Sequence, residues 1–508
     1  MNRDAVIFTG MEKTRTISRP AGAARLRTFL GEHGYDIEVV DYFGNFSTRE
    51  LELACDRYIG DKTIFVGVSI TFLYDFDKIN HMFKYIKEKY PKVMTVIGGN
   101  ESTLDGIETQ YVDRIIWGYA EEAVLHFMKF YQKSIVGRRL DDLEWVDYRG
   151  TKAINAELKY KNDDKDLTIK WLDTDLIKHN FLPIEISRGC IFRCRFCQFP
   201  LLGKKKNDYI RHVDNLSDEL RRNYEQFGVT NYWFNDDTFN DNIVKLDYVA
   251  DAIAKSGVKI TYTAFLRADL LHAFPESIQM LGDTGLVAAT FGLETLHPEA
   301  KKAIGKGMDN EKQFEAIRQL KQYRPTYTYT GMIAGLPGEP VSSMMDSQKW
   351  LIDQNFEVFD NWDWWTLHIR KQSMTRLSEF ETEYQKWGYT DMTPEELSKV
   401  INEVEDRKFA QNDFLSYWKN KHVNWFTAKK IVELFNTETE RARIAAGKSI
   451  YGNSNKGVSI NHDVFELVGF GVDIKDIIDG TFDKSVLNQK INDSYLTIHD
   501  YKKLKLGL

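Results

Sequence analysis

The feature that most constrains how this chain can fold is a repeated alternation of short apolar runs with amphipathic helical stretches. Over the first 135 or so residues, five apolar runs predict strands at 5–8, 37–40, 64–69, 94–97 and 114–117,. Between the third and fourth runs, Ile79, Met82, Phe83 and Ile86 recur with helical spacing,. Alternation of this kind builds an open parallel sheet, whose ligands bind at the carboxyl ends of the strands. Residues 1–135 are therefore predicted to form a doubly wound, Rossmann-like α/β domain.

A second strand–helix series follows a polar connector predicted at 136–180. Its six predicted strands are 183–187, 230–234, 260–265, 287–293, 326–334 and 361–368,. Six right-handed strand–helix units predict a partial (β/α)6 barrel, similar to a TIM barrel, over 181–371, with functional groups on the loops after the strands. Residues 372–508 lack strand patterns and predict a mostly helical C-terminal extension. The basic stretch at 501–505 is expected to be a solvated end.

Charge and composition exclude several classes of protein. The 68 Lys and Arg against 75 Asp and Glu give a net charge of −7, which offers no global attraction for nucleic acid or an anionic membrane,. No apolar run approaches the roughly 18 residues of a membrane span. Four cysteines are too few for a disulfide scaffold, and the N-terminus lacks the apolar core of an export signal,. We therefore expect a cytoplasmic protein that does not enter a membrane.

Three of the four cysteines lie within eight residues of one another. Cys190, Cys194 and Cys197 directly follow the first strand of the second series, where one loop can bring all three thiolates to a single metal centre,. Structural zinc is an alternative, but a closed zinc site needs four ligands, and the first histidine beyond the loop is His212,. Three thiolates on a four-iron cluster would leave one iron open for chemistry.

The C-x3-C-x2-C spacing after the first strand of a partial barrel resembles the radical S-adenosylmethionine (SAM) superfamily. This resemblance implies a [4Fe-4S] cluster whose open iron is chelated by SAM, and an electron from the cluster that cleaves SAM to a 5′-deoxyadenosyl radical. It also implies SAM-binding roles for residues on the cysteine loop and after the next four strands. These are Phe196, Asp236, Asp237, Arg267, Glu294 and Gly335.

A SAM barrel that follows a doubly wound domain resembles the cobalamin-binding branch of that superfamily. The likeness rests on polar and glycine-rich turns after the third, fourth and fifth strands, which imply a cobalamin site at Ser69, Thr71, Gly98, Gly99, Asn100 and Gly118. The D-x-H-x-x-G motif that supplies a histidine ligand to cobalt in other cobalamin proteins is absent. The single Cys55 argues against the methylthiotransferase layout, which needs three N-terminal cysteines, and is predicted to be a small core residue.

The sixth predicted strand of the barrel is rich in tryptophan. Period-two alternation places Trp362, Trp364, Thr366 and His368 on one face,. If that face lines the barrel, it offers a substrate stacking surfaces and one titratable group, and His368 is then a candidate catalytic residue. Ordinary core packing is the alternative for a strand this rich in tryptophan.

Together these features predict a radical SAM enzyme, with cobalamin-dependent methyl transfer to an unactivated carbon as the leading hypothesis. One alternative is a cobalamin-type radical SAM enzyme that catalyses an isomerisation, rearrangement or oxidation. The other is a non-catalytic interaction protein that binds zinc. The resemblance further implies a reducing partner such as flavodoxin or ferredoxin, and a small-molecule or nucleotide-like substrate.

Overall fold

The computed structural model describes residues 1–10, 19–73, 75–99, 106–131, 145–156, 166–178, 182–192, 194, 196–197, 209–334, 336, 339–366, 425–449, 464, 467–468 and 471–508. The chain divides into two compact units. The first comprises residues 1–185, 214–230 and 485–508, and the second comprises residues 186–213 and 231–484. Within the described ranges, no helix combines the length and the apolar character needed to cross a membrane.

The first unit is built on a sheet that has seven strands among the described residues. They are β1 (Ala5–Phe8), β2 (Ile37–Val40), β3 (Phe65–Ser69), β4 (Met94–Gly99), β5 (Arg114–Trp117), β6 (Val146–Tyr148) and β7 (Thr151–Asn155), in the order β2-β1-β3-β4-β5-β7-β6. Neighbours are parallel, except that β6 runs antiparallel to β7. The strand order reverses between β1 and β3, and in such sheets ligands bind outside the carboxyl ends at that reversal. Two strands thus occur within 136–180, where a connector is predicted.

Helices pack on both faces of this sheet. Their apolar residues recur with helical spacing, so each helix turns one apolar stripe toward the sheet. They are α1 (Ala21–Glu32), α2 (Thr48–Tyr58), α3 (Phe76–Lys89), α4 (Glu121–Tyr131) and, at the other end of the sequence, α14 (Lys484–Leu506). A further helix, α5 (Val213–Phe227), contacts the segment at Ile169 through Glu219 and Arg222. In α3 the predicted stripe of Ile79, Met82, Phe83 and Ile86 is fully buried. Ser47 and Glu50 form a capping box that fixes the start of α2,.

The last helix of the sequence completes the core of the first unit, so the expectation of a solvated end at 501–505 is wrong. Tyr501 is fully buried, and its hydroxyl oxygen accepts a 2.8 Å hydrogen bond from the backbone N–H of Asp41, just after β2. Lys505, 1% exposed, forms a 2.6 Å ion pair with Glu38. Tyr501 and Lys505 thus contact residues near the start of the sequence. A local sequence pattern does not reveal contacts between such distant segments.

The second sheet has six strands, among the residues described, that follow one another in chain order. They are β8 (Leu182–Ile184), β9 (Asn231–Phe234), β10 (Thr261–Leu266), β11 (Leu286–Glu294), β12 (Tyr327–Ala334) and β13 (Asn361–Thr366). The ladders from β9 to β13 are all parallel. Helices follow the strands: α6 (Ile243–Ser256), α7 (Ala268–Ala273), α8 (Glu276–Thr284), α9 (Pro298–Ala303), α10 (Asn310–Tyr323), α11 (Val341–Asp353), α12 (Trp425–Ala445) and α13 (Ile474–Asp479). The predicted α/β fold, with a Rossmann-like sheet, a sequential parallel sheet and a helical C-terminal part, is confirmed.

The two faces of the second sheet differ in character. On the outer face, beneath the helices, the Tyr262 hydroxyl lies 2.8 Å from the Thr284 hydroxyl of α8. The opposite, inner face carries the alternate residues of each strand. There the Trp233 and Phe265 rings lie 6.4 Å apart, and Phe265 is 37% exposed. Successive side chains on a strand point to opposite faces, so alternate residues divide between the two faces. The alternation is interrupted where the register shifts, beside Tyr262 in the β10–β11 ladder and between Gly292 and Glu294 in β11.

Candidate functional site

The three clustered cysteines lie in the loop after β8, and each is half-buried and free of disulfides. The Cys190 sulfur lies 3.2 Å from the Thr238 hydroxyl, and the Cys194 sulfur accepts a 3.5 Å hydrogen bond from Arg267 Nη1. Thr238 follows β9 and Arg267 follows β10, so the ends of two adjacent strands meet the cysteine loop. The Cys197 N–H donates to the Cys194 carbonyl at 3.1 Å, which turns the loop back on itself.

Burial raises the pKa of the Cys190 thiol, and the nearby carboxylates of Asp241 and Asp237 raise it further, against the Thr238 hydrogen bond. Among the residues that the structure describes, no three His, Cys, Asp or Glu side chains are grouped to hold a single metal ion. An iron–sulfur cluster instead takes its thiolates one per iron, and donors to the sulfurs tune its potential. Three half-buried thiols, two of them beside a hydroxyl or guanidinium group, fit that donor set.

Arg267, predicted to meet the SAM carboxylate, is bound within the protein. Its Nη2 and Nε atoms donate to Asp269 at 2.5 and 3.0 Å, and its guanidinium carbon lies 4.0 Å from the centre of the Phe192 ring. Through Nη1 it also contacts Cys194. The structure thus places Arg267 beside the cysteine loop, with most of its donors already used.

Asp236 and Asp237, both predicted to face SAM, lie in different environments. Asp236 is fully buried and accepts hydrogen bonds from the backbone N–H groups of Ile186 and Ser187 at 2.9 and 3.1 Å. It also receives the Ser187 hydroxyl at 2.6 Å and the Lys245 ammonium at 3.1 Å. The structure therefore gives Asp236 a supporting role under the cysteine loop in place of the predicted SAM contact. Asp237 is half-buried and lies near Cys190.

Lys245 of α6 is the centre of this buried network, and the sequence analysis missed it. Its ammonium is fully buried and contacts Asp236, the carbonyl of Thr238 at 2.8 Å and Asp241 at 2.6 Å. Burial alone would lower its pKa, but the two carboxylates raise it, so the amine stays charged. Thr238 is the residue that contacts Cys190, so Lys245 fixes the strand end on which the cysteine loop rests.

Glu294 and Phe196 meet on the other side of the cysteine loop, together with Lys306. The Lys306 ammonium donates to Glu294 Oε1 at 2.9 Å and to the Gly292 carbonyl at 2.7 Å, and lies 5.6 Å from the centre of the Phe196 ring. A Cβ atom at Gly292 would lie 2.5 Å from Glu294 Oε1, so a side chain at this position would displace the Glu294 carboxylate. The G-x-E spacing therefore has a physical reason: the carboxylate folds back over a position that lacks a side chain.

Phe196 also packs against a small apolar cluster formed by Ala300, Ile304, Ile333 and Leu336. Together with the Glu294–Lys306 pair, this gives one apolar surface and one zwitterionic pair beside the cysteine loop. Such a combination fits the adenine and polar groups of SAM. Lys306 was missed because a lone lysine between two glycines carries no recognisable pattern. The predicted residue Gly335 lies outside the described residues.

Thr295 and Glu339 connect the ends of β11 and β12. The Thr295 hydroxyl donates to Glu339 Oε1 at 2.7 Å, and both side chains are fully buried. Burial raises the pKa of Glu339 to about 8, against the lowering effect of the Thr295 hydrogen bond. At neutral pH this carboxyl is therefore largely protonated.

In β13 the structure favours core packing for Trp362 and Trp364 over a position that lines the barrel. Trp362 and Trp364 are less than 2% exposed, and both indole N–H groups donate to Gln348 Oε1 of α11, at 3.1 and 2.8 Å. They therefore lie on the outer face, beneath the helices. The predicted alternation is correct, but the residues that reach the inner face are Asp363 and Trp365. His368 and the side chain of Thr366 lie outside the described residues.

In the first unit, the predicted cobalamin residues meet at the carboxyl edge of the sheet. Ser69 pairs in register with Gly98, and the Gly118 N–H donates to the Gly99 carbonyl at 3.1 Å. Among the described residues, a Cβ at Gly98 would meet only the Ile116 carbonyl oxygen, at the ordinary contact distance of 3.5 Å, which leaves room beside its backbone.

Two further observations bear on whether this edge fits a corrin ring. A Cβ at Gly99 would meet Thr71 Oγ1 at 2.7 Å, so this glycine is required by the protein's own turn. Phe72, 40% exposed, adds apolar surface after β3. Among the described residues that directly follow β1, β3, β4 and β5, none is a histidine, so the edge fits a corrinoid that takes no histidine from it. Asn100 lies outside the described residues, and Cys55 is a fully buried core residue, as its isolation predicts.

Comparison with known proteins agrees with this fold. Residues 184–351 match the family model described as the radical SAM superfamily. The uncharacterised methyltransferase PH0819 of Pyrococcus horikoshii is 25% identical over 341 residues, which cover 64% of this chain and 71% of that protein.

Two solved structures share the fold. The radical SAM methyltransferase TsrM from Kitasatospora setae, with cobalamin and a [4Fe-4S] cluster bound, gives a TM-score of 0.53 at 14% identity, over 72% of this chain and 73% of that chain. The cobalamin-dependent SAM radical enzyme OxsB, with aqua-cobalamin and SAM bound, gives a TM-score of 0.57 at 14% identity, over 99% and 84%. At this identity the likeness shows the fold alone.

Proposed function

We propose that this chain is a radical SAM enzyme and, more narrowly, a cobalamin-dependent methyltransferase that acts on an unactivated carbon of its substrate. The observation that carries the proposal is the cysteine loop, whose Cys190 and Cys194 sulfurs contact Thr238 and Arg267 at the ends of β9 and β10. The fold shared with TsrM and OxsB, whose structures hold cobalamin, and the methyltransferase relative support the choice of reaction.

Cys190, Cys194 and Cys197 would hold the [4Fe-4S] cluster, and Phe196, Glu294 and Lys306 would bind SAM. When bound, these cofactors supply a hydrogen-abstracting 5′-deoxyadenosyl radical and, from cobalamin, a transferable methyl group. A reducing partner of the flavodoxin or ferredoxin type would supply the electron.

The residues of the chain then have four tasks. The Arg267 guanidinium donates to the Cys194 sulfur, and the Thr238 hydroxyl lies within hydrogen-bonding distance of the Cys190 sulfur. Such contacts stabilise the thiolates and adjust the potential of the cluster. The Lys306 ammonium and the Glu294 carboxylate provide one donor and one acceptor for the charged end of SAM, and Phe196 shields its ring from water. Asp236 and Lys245 hold the strand ends in place. The carboxyl edge at Ser69, Gly98 and Gly118 would hold the corrin.

The test is anaerobic reconstitution of the full chain with iron and sulfide, followed by incubation with SAM, methylcobalamin and a chemical reductant. Mass spectrometry then identifies the nucleoside products. Formation of both S-adenosylhomocysteine and 5′-deoxyadenosine supports methyl transfer. Formation of 5′-deoxyadenosine alone supports the non-methylating alternative, and a colourless zinc protein without either product overturns both.

The matched pair of variants is Cys194→Ala and Cys55→Ala. Cys194→Ala should lose the visible absorption of the cluster and all SAM cleavage, because one iron loses its thiolate. Cys55→Ala removes a buried thiol of the first unit and should keep both. Equal cluster content in the two variants would contradict the assignment of the cysteine loop.

A further inference from the structure

Three side chains on the inner face of the second sheet form a connected group, which we call the β12–β13 cluster: Tyr329, Asp363 and Trp365. The Tyr329 hydroxyl donates to Asp363 Oδ2 at 3.3 Å, and the Trp365 indole N–H donates to the Tyr329 oxygen at 3.3 Å. Gly331 pairs in register with Asp363, and a Cβ at Gly331 would lie 3.7 Å from the Trp365 ring. The ring therefore has an open approach along the sheet.

The exposure of Trp365 distinguishes it from its neighbours. Trp365 is 53% exposed, whereas Trp362 and Trp364 on the same strand are less than 2% exposed. Among the described residues it is the one tryptophan that is exposed to this degree. An exposed aromatic ring beside a largely buried carboxyl group gives this face one apolar wall and one polar group, the combination that lines ligand sites.

Asp363 adds a carboxyl group to this face. Within the described part of the chain, no Lys, Arg or His side chain forms an ion pair with it. The charge of Arg443 of α12 acts on Asp363, but this guanidinium is 1% exposed and donates to Glu440 at 3.1 Å and to the Lys448 carbonyl at 3.2 Å. Burial raises the pKa of Asp363, against the Tyr329 hydrogen bond and the charge of Arg443, so its carboxylate form lacks full compensation,.

We propose that the β12–β13 cluster binds an ammonium group of the substrate, between the Asp363 carboxylate and the face of the Trp365 ring. Aromatic faces and carboxylates both attract cations, and their combination selects an organic amine over neutral or anionic molecules. Elsewhere on this face, the carboxylate of Glu294 is already paired with Lys306. The inference deepens the proposed function, on which it rests: the substrate is an amine with an apolar body, and a phosphate or carboxylate at this position is disfavoured.

The experiment measures the binding of three small probes of similar size to the reconstituted holoenzyme: benzylamine, benzyl alcohol and benzoate. Anaerobic equilibrium dialysis at neutral pH, where benzylamine is protonated, gives each Kd. We expect the wild type to bind benzylamine about tenfold more tightly than benzyl alcohol, which corresponds to about 1.4 kcal/mol, and to bind benzoate most weakly. Equal Kd values for benzylamine and benzyl alcohol in the wild type would overturn the proposal without any variant.

Two variants locate the site. Asp363→Asn should reduce the benzylamine preference to within about twofold and leave benzyl alcohol binding nearly unchanged. Asp353→Asn removes an exposed carboxylate of α11 and should keep the full preference. A preference that persists in Asp363→Asn overturns the assignment to this cluster. Cleavage of SAM in the same preparations tests the proposed function independently. A wild type that prefers benzylamine but leaves SAM intact would refute the proposed function and not the amine site.

Discussion

Replacing Glu339 by Gln should stabilise the protein, and increasingly so as the pH rises. Glu339 is fully buried, and one of its oxygens accepts the Thr295 hydroxyl. Burial raises the pKa of its carboxyl from 4.5 to about 8. In the unfolded chain the carboxyl ionises near its ordinary pKa, whereas in the folded protein it keeps its proton up to about pH 8. The free energy of unfolding therefore falls as the pH rises from the ordinary pKa of the carboxyl group to its pKa in the folded protein.

The magnitude follows from the pKa difference, about 8 minus 4.5, or about 3.5. At about 1.4 kcal/mol for each unit, the full loss is on the order of 5 kcal/mol. Glutamine keeps the shape of the side chain and its acceptor for Thr295 but does not titrate. The difference in unfolding free energy between Glu339→Gln and wild type should thus grow by about 1.4 kcal/mol per pH unit from about pH 5 to pH 8, then become constant.

Urea unfolding at several pH values, followed by a signal of the second unit such as tryptophan fluorescence, measures this difference. The control is Glu299→Gln, which removes an exposed carboxyl group on α9. Its difference in unfolding free energy from wild type should not grow with pH in this way. A Glu339→Gln protein whose stability relative to wild type is the same at about pH 5 and pH 8 would refute the idea of a buried, protonated acid.

Three further substitutions test other parts of the structure. Gly292→Ala should lower the rate of SAM cleavage by roughly 10- to 100-fold, because the new methyl group displaces the Glu294 carboxylate,. The control is Gly307→Ala, whose new methyl group meets no atom within 4 Å and should leave the rate unchanged. Lys245→Met should lower the unfolding free energy by about 3–5 kcal/mol, because it leaves two buried carboxylates without a cation,. Urea unfolding measures this loss, and a loss below about 1 kcal/mol would contradict the buried network. Tyr501→Phe should cost about 1 kcal/mol in the first unit, measured by hydrogen exchange, since the buried N–H of Asp41 loses its acceptor,. Unchanged exchange there would argue against the docking of α14.

Local periodicity predicted most of the fold because strands and helices bury residues at different spacings. The strands 5–8, 37–40 and 114–117 have the predicted bounds, and β9 to β12 differ from their predictions by one or two residues. The cysteine loop was also predictable, since its spacing alone points to a metal centre.

Other parts of the site could not be predicted, because they depend on contacts between distant segments. Alternation fixed which residues of β13 share a face, but which face points inward depends on α11 and α12, so the sequence left both a barrel-lining and a core position open for Trp362 and Trp364. Asp236 resembled a cofactor ligand because its partner, Lys245, lies nine residues away on a helix whose orientation is not encoded locally. Glu339 and Thr295 are 44 residues apart and share no motif.

The position of α14 determines when the first unit is completed during synthesis. Asp41 leaves the ribosome early, but Tyr501, which covers it, is made 460 residues later. At a translation rate of roughly 5–20 residues per second, the synthesis of α14 follows that of β2 by on the order of 20 to 90 s. During that interval the buried edge at β2 is open to solvent and to other chains. Cells that make this protein should therefore need chaperones that protect this part of the nascent chain until α14 has been made.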